Sequence, residues 1–288
     1  ICGGFAGVNY DWPILNGEAV VASGTFETSA GDPIENGDMS QWCETKEMLP
    51  LFGSKKITVW YPGSSWSDST PGFWDSSNNA GNKTACTQDK SKNASCAWLQ
   101  ASGVSLVGAL AAGSLFTGTF TYANMNGTAS FGQKYKYTAR PTALRLKYHA
   151  TLGTVNYNKH NGPLEKDKDI MDQCSFTVCI VDWDTRHDVQ SGTSAPKGIW
   201  DPITMGELPV DKQNGIIGYG VKYSSENTPG TDLIPLEITI KYYQQTNAAP
   251  DGENKFTIII SVSTSRYGDY LNGCDKNKIY VDDFEWVY

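Results

Sequence analysis

The sequence has few charged residues and no long apolar run. Charged residues make up 19% of its 288 residues, and no stretch approaches the ~20 apolar residues that a membrane-spanning helix needs. Long segments rich in Ala, Glu, Lys and Leu, which are typical of helices, are also missing. The net charge of −8 argues against a nucleic-acid partner, because phosphate binding needs clustered Lys and Arg. We therefore expect neither a membrane span nor a nucleic-acid-binding domain.

The seven cysteines lack the CxxC and HxxxH spacings of zinc sites. Cys86 and Cys96 flank a polar loop and are candidates for closing it, with a disulfide that would contribute about 2–3 kcal/mol. Cys174 and Cys179 are not expected to pair, because on a regular strand their side chains face opposite sides. Cys2 lies close to the start of the sequence, where a lipid-modified cysteine is one alternative.

What the sequence does contain is a series of short β-type runs separated by Gly, Pro, Asn, Asp and Ser. Leu144, Leu146 and Tyr148 alternate with polar residues, the period of a strand with one face on a core. With no interleaved helices, the runs predict an all-β fold, a two-sheet antiparallel β-sandwich. The predicted strands are residues 20–28, 57–61, 97–107, 115–122, 142–149, 175–183, 216–223, 236–243, 256–263 and 278–288.

Residues 60–82 place large aromatic side chains among turn-forming residues. Exposed rings cost roughly 25 cal/mol per Å² left in water, whereas pyranose rings stack their C–H faces on aromatic planes while Asn, Asp and Ser bind the hydroxyls. The segment is therefore a candidate carbohydrate-binding site; the alternative is that the rings plug the open end of the sandwich. The candidate residues are Trp60, Tyr61, Trp66, Phe73, Trp74, Asp75 and Asn78.

Three stretches, in this order, resemble one known family. The first is Ile34-Glu-Asn-Gly-Asp-Met-Ser-Gln-Trp42. The second comprises Leu115-Phe-Thr-Gly-Thr-Phe120, Phe131-Gly132 and Arg140-Pro-Thr-Ala-Leu144. The third comprises Ser265-Arg-Tyr-Gly-Asp269, Gly273 and Ile279-Tyr-Val-Asp-Asp-Phe-Glu285. Together they resemble the putative carbohydrate metabolism domain of Bacteroidetes surface and secreted proteins.

The resemblance implies a galactose-binding-like jelly roll over residues 34–288. Residues 1–33 are then an N-terminal extension or the end of a preceding domain. The sequence departs from the family pattern after Gly273, where Cys-Asp-Lys-Asn-Lys replaces the usual small-residue turn.

Two carboxylates far apart in the sequence are candidate metal ligands. The first and last strands of carbohydrate-binding jelly rolls often lie side by side, which would bring Asp38 close to Asp282. Such an oxygen-rich shell suits Ca²⁺, whose role would be structural. On a regular strand, Asp282 shares a face with Tyr280, Phe284 and Trp286 and is expected to be partly buried. The alternative is that Asp282 accepts hydrogen bonds from backbone N–H groups of the N-terminal turn.

The resemblance implies an exported protein of bacterial polysaccharide utilisation: a cell-surface lipoprotein, a periplasmic protein or a secreted one. With the aromatic segment, it predicts a non-catalytic module that binds a polysaccharide or oligosaccharide. One alternative is a glycoside hydrolase, whose carboxylate pair would come from Glu237, Asp269, Asp283 and Glu285. Another is a surface adhesion or assembly domain that binds protein. Because no feature selects a catalytic pair, the sequence favours binding over catalysis.

Overall fold

The computed structural model describes residues 9–27, 32–48, 57–67, 70–80, 85–92, 95–123, 126–136, 139–160, 162–165, 169–193, 196–243 and 254–288. These residues form β-strands, one short α-helix, Val210–Asn214, and the 3₁₀ turns Ser77–Ala80 and Gly268–Tyr270. None of their helices is long and apolar enough to span a bilayer. The strands are β1 Asn9–Asn16, β2 Ala19–Glu27, β3 Trp42–Met48, β4 Ile57–Pro62, β5 Trp74–Asp75, β6 Thr87–Asp89, β7 Cys96–Gln100, β8 Ser102–Val104, β9 Ala109–Ala111, β10 Ser114–Ala123, β11 Asn126–Phe131, β12 Gln133–Lys134, β13 Ala143–Thr151, β14 Cys174–Trp183, β15 His187–Ser191, β16 Ile216–Ser224, β17 Ile234–Thr239, β18 Lys241–Tyr242, β19 Phe256–Ser263 and β20 Lys278–Val287.

Two antiparallel sheets form the sandwich. The large sheet has the order β15-β11-β10-β19-β14-β16-β18, with β5 paired to β10 and β12 to β19, and the small sheet has the order β17-β13-β20-β7-β6. The main core lies between them and buries Phe176 and Ile260 from the large sheet against Leu146 and Val281 from the small one. The predicted all-β sandwich is confirmed.

Strand β14 is buried on both faces from Val178 to Val181. Cys174 belongs to the main core, whereas Cys179 belongs to a second apolar cluster on the far side of the large sheet, so the two thiols face opposite sides as predicted. The suggested Cys86–Cys96 bond is wrong: both thiols are free, and Cys96 pairs in register with Asp89. Cys2 lies outside the described residues.

The last strand lies against the N-terminal turn. The Phe284 N–H donates to the carbonyl oxygen of Gly37 at 2.8 Å, and a Cβ added at Gly37 would stand 2.3 Å from the Phe284 carbonyl oxygen. Only glycine therefore fits this contact. The expectation that the last strand lies beside the early segment that carries Asp38 is met.

A β-bulge interrupts β20 at Asp283, whose φ is 52°. In the pairing with β13, Arg145 lies opposite Glu285 and Lys147 lies opposite Asp282. Between these two pairs β13 advances by two residues and β20 by three, so β20 has one extra residue. The alternation therefore reverses: Phe284 lies in the main core, and Asp282 does not share its face. The expectation that these two side chains point to one side was wrong, because it assumed a regular strand.

Candidate functional site

The aromatic side chains described between residues 60 and 78 lie mostly inside the protein. Trp74 is fully buried, its Nε1 donates to the Glu35 carbonyl oxygen at 2.8 Å, and its ring contacts that of Phe284 at 5.1 Å between centroids. Phe73 belongs to the same core. The remaining rings are Tyr61 and Trp66, buried and stacked 4.1 Å apart, and Trp60, which is half-buried.

The polar candidates of this segment also have structural partners. The Asp75 carboxylate is fully buried and accepts hydrogen bonds from the backbone N–H groups of Ser76 and Phe120, each at 2.7 Å. The Asn78 amide donates to the Trp60 and Cys86 carbonyl oxygens at 2.8 and 2.6 Å. These contacts agree with the alternative that the segment plugs one end of the sandwich. Its role in sugar binding stays a prediction.

Asp38 and Asp282 are brought to the same junction but supply only part of a metal shell. Asp282 is buried, and burial together with the neighbouring charges of Asp283 and Asp38 raises its pKa to about 6. One oxygen of Asp38 is engaged by Ser40, and the Asp283 N–H donates to Asp282. In the part of the chain that is described, no group of three or more His, Cys, Asp or Glu side chains is placed to hold a metal. Structural Ca²⁺ stays a prediction.

Three of the four nominated catalytic acids form ion pairs on the exposed face of the small sheet. Arg145 binds Glu237 at 3.0 Å and Glu285 at 3.2 Å, and Lys147 binds Asp283 at 2.7 Å. Exposed pairs of this kind are typical of a solvated sheet surface. The fourth acid, Asp269, lies elsewhere.

Asp269 lines a cavity of about 480 Å³ on the face of the large sheet that points away from the main core. This outer cavity has strands β10, β14 and β19 beneath it, and residues 199–207 and 265–271 contribute to its walls. Its volume is in the range of small-molecule sites, ~300–1,000 Å³. The sequence predicted Asp269 as a candidate acid but did not predict the cavity.

Hydroxyl side chains cover the floor of the outer cavity. Strand pairing sets Ser175 opposite Ser263 and Thr177 opposite Ser261, and all four line the cavity. The side chains of Phe176 and Val178 point the other way, into the main core. Among the described residues, none forms a hydrogen bond with the hydroxyls of Ser175, Thr177 or Ser261, so these groups are available to a ligand.

Aromatic rings form the walls. Trp200 contacts Trp183 edge-on at 5.6 Å between centroids, and Tyr267 contacts Tyr270 in the same manner at 6.3 Å. All of these except Trp183 line the cavity. Rings fixed by edge contacts keep their orientation, which suits them to stack on the C–H faces of a sugar.

Two carboxylates of the 199–207 segment have different local roles. The Asp201 carboxylate accepts hydrogen bonds from the N–H groups of Ile203 and Thr204 at 2.8 and 2.7 Å, which folds the turn. Glu207 is exposed, and one of its oxygens accepts a hydrogen bond from the Gly198 N–H at 2.5 Å. Asp201 therefore shapes the wall, whereas Glu207 is the more exposed carboxylate of the segment.

A backbone conformation rare for side-chain-bearing residues precedes Glu207. Met205 and Gly206 have φ values of 62° and 49°, and a Cβ at Gly206 would meet the Ile199 carbonyl oxygen at 2.4 Å. The Glu207 N–H then donates to that same carbonyl at 2.8 Å. Left-handed residues of this kind cost about 1–3 kcal/mol and cluster at functional sites.

Asp269 is half-buried and lines the cavity. Removal from water raises the pKa of Asp269 to about 6. Among the residues described, none donates a hydrogen bond to this carboxyl, so nothing offsets the desolvation. Tyr270 is near both Asp269 and Glu207, and their charges, after burial, raise its pKa.

The raised pKa makes stability depend on pH. Between about pH 4 and 6 the folded protein keeps a proton on Asp269 that the unfolded chain releases, so stability falls as pH rises through this window. Asp269→Asn removes the ionisation, and we expect it to stabilise the fold by about 1–3 kcal/mol at pH 7.5 and by little at pH 4. Urea unfolding at both pH values measures the difference. The control is Glu226→Gln, an exposed carboxyl expected to change stability little; equal effects of the two variants would contradict the assignment.

The model of the putative carbohydrate metabolism domain matches residues 26–287. The chain belongs to this family. The predicted resemblance is confirmed. None of the curated proteins compared matches the chain.

Two solved structures from Bacteroides have a fold similar to that of this chain. A putative glycoside hydrolase from Bacteroides thetaiotaomicron matches with a TM-score of 0.50 and 15% identity, over 93% of this chain and 76% of that one. A putative glycoside hydrolase from Bacteroides vulgatus matches with a TM-score of 0.52 and 15% identity, over 85% of this chain and 97% of that one. At this identity the likeness shows a shared fold.

Proposed function

We propose that the protein binds a glycan in the outer cavity. The observation that carries the proposal is the hydroxyl floor of Ser175, Thr177 and Ser261 beneath aromatic walls. Sugar recognition needs both elements, since the hydroxyls exchange hydrogen bonds with the sugar while the rings cover its apolar face. Membership of a carbohydrate-metabolism family supports the same ligand class.

The charges of the lining favour a neutral glycan. The described residues of the cavity include the acids Asp201, Glu207 and Asp269 and a single cation, Arg266. The Arg266 guanidinium already lies 3.8 Å from the centroid of the Tyr223 ring and donates to the Gln173 side chain at 3.1 Å. Uronic acids would meet repulsion here, because like charges in a partly desolvated site disfavour each other.

Affinity gels test the proposal with neutral polysaccharides (xylans, mannans, galactans and glucans) beside polygalacturonate and alginate. We expect retention by at least one neutral glycan and by neither uronate. Thr177→Val, which keeps the shape and removes the hydroxyl, is expected to weaken that retention about 5–10-fold, since one hydrogen bond contributes roughly 1 kcal/mol. Thr177→Ser restores the hydroxyl and is the matched control.

A second variant tests the wall. Trp200→Ala is expected to weaken retention at least tenfold, whereas Trp98→Ala, a half-buried ring of the small sheet, should leave it unchanged. Normal retention by both Thr177→Val and Trp200→Ala would overturn the proposed site. Capture of a protein partner with no glycan retained would instead favour the adhesion alternative.

We also propose that the protein works outside the cytoplasm, which cell fractionation tests.

A further inference from the structure

We propose that the outer cavity is a hydrolytic centre in which Asp269 donates a proton to the glycosidic oxygen and Glu207 activates water. The inference rests on the proposed glycan site. It depends on a juxtaposition in the fold: two turns from different parts of the chain, residues 199–207 and 265–271, each contribute an acidic residue, Glu207 and Asp269, to the lining of one cavity.

The two carboxyl groups occupy different environments, as acid and base catalysis require. Asp269 is withdrawn from water and lacks a hydrogen-bond donor within the described residues, conditions that favour its protonated form. Glu207 is exposed, and the Gly198 N–H at 2.5 Å orients one of its oxygens, which leaves the other for a water molecule. One carboxyl group with little access to water and one exposed to it form the usual acid–base arrangement of glycosidases.

The third acidic residue of the lining, Asp201, fits the role of catalytic base less well than Glu207. Asp201 is half-buried and accepts two backbone hydrogen bonds through one carboxylate oxygen, whereas Glu207 is exposed and accepts one. Burial, and then the charges of Glu207 and Asp269, raise the pKa of Tyr270, so both acidic residues are near this side chain. Glu207, the exposed carboxylate of the 199–207 segment, is therefore the one assigned to activate water beside Asp269 in the same cavity.

The step balances without a further reactant. The glycosidic C–O bond breaks as the Asp269 carboxylic acid gives its proton to the departing oxygen. A water oxygen forms the new bond to the anomeric carbon, and Glu207 takes the proton which that water loses. Asp269 ends as a carboxylate and Glu207 as an acid, and proton exchange with solvent restores both.

The backbone holds each group in place. Leu271, directly after the Asp269 turn, has a φ of 59°, and its carbonyl oxygen accepts a hydrogen bond from the Leu110 N–H at 3.0 Å. Met205 and Gly206 turn the chain before Glu207. Residues in left-handed conformations thus flank both carboxyl groups, consistent with conformations maintained for function.

The experiment measures reducing ends released from each polysaccharide that affinity gels retain. We expect the wild-type protein to release reducing ends. Asp269→Asn and Glu207→Gln should each lower kcat/KM about 10²–10⁴-fold while glycan retention persists. The wild-type kcat/KM should fall about tenfold per pH unit above about pH 6, as Asp269 loses its proton. Glu237→Gln, in the exposed ion pair with Arg145, is the matched control and should keep full activity.

A second substrate separates proton donation from a structural effect. On 2,4-dinitrophenyl glycosides, whose leaving group needs no protonation, Asp269→Asn should keep most of its activity and Glu207→Gln should not. Retention without release of reducing ends would overturn the catalytic assignment and leave glycan binding intact. Full turnover by Asp269→Asn on polysaccharide would overturn the role of that residue. Absence of both retention and turnover would reject the glycan site itself.

Discussion

Replacing Trp74 with alanine is expected to lower the free energy of unfolding by about 3–5 kcal/mol and to leave glycan affinity unchanged. The ring is fully buried in the main core, packs on Phe73 and Phe284, and gives its N–H to the Glu35 carbonyl oxygen. Alanine would leave a cavity and would remove the hydrogen bond to the Glu35 carbonyl oxygen. Urea unfolding measures the loss of stability, and affinity gels measure retention by the folded variant.

Trp74→Phe is the matched control. It fills most of the volume and removes only the hydrogen bond, so we expect a smaller loss of about 1–2 kcal/mol. If either variant kept normal stability but lost glycan retention, the ring would be a sugar-binding residue. That outcome would restore the interpretation that the sequence first suggested for residues 60–78.

Asp172→Ala is expected to lower stability by about 3–5 kcal/mol, since each buried donor left unpaired costs about 1–3 kcal/mol. The buried carboxylate accepts hydrogen bonds from the Ser265 hydroxyl at 2.6 Å, the Cys274 N–H at 2.8 Å and the Asn277 amide at 2.7 Å. Burial nevertheless raises the pKa of Asp172 above its ordinary value. These bonds tie together both ends of the segment that carries Asp269.

The same substitution should also weaken glycan binding, because the segment that carries Asp269 loses its anchor. Ser265→Ala removes one of the bonds and serves as the graded control, with an expected loss of about 1 kcal/mol. Chemical unfolding and affinity gels on both variants test this. Unchanged stability in Asp172→Ala would contradict the structural role of the hydrogen-bond network.

The sequence predicted the sandwich because its strands alternate strongly. The strand predicted over residues 256–263 is observed as Phe256–Ser263, and that over residues 278–288 as Lys278–Val287. It did not predict the bulge at Asp283, since a single residue in a left-handed conformation leaves no mark on the hydrophobic pattern. The face assigned to Asp282 was wrong for that reason.

The site was harder to predict than the fold. Its floor arises from cross-strand pairs, Ser175 with Ser263 and Thr177 with Ser261, which depend on a register that one sequence does not reveal. A signal was present, since hydroxyl residues alternate with apolar ones in both strands. The aromatic segment was the more conspicuous pattern, but its rings pack against the core. Asp269 was among the predicted candidate acids, but no sequence pattern distinguished it from Glu237, Asp283 and Glu285. Those three form surface ion pairs.

The central claim is that the outer cavity holds the glycan. A crystal structure of the protein soaked with an oligosaccharide from the best-retained polysaccharide tests it most directly. We expect the sugar to lie over the Thr177 and Ser261 hydroxyls, with a ring face against Trp200 and a glycosidic oxygen near Asp269. A sugar bound at residues 60–78, or on the exposed face of the small sheet with the outer cavity empty, would contradict the account.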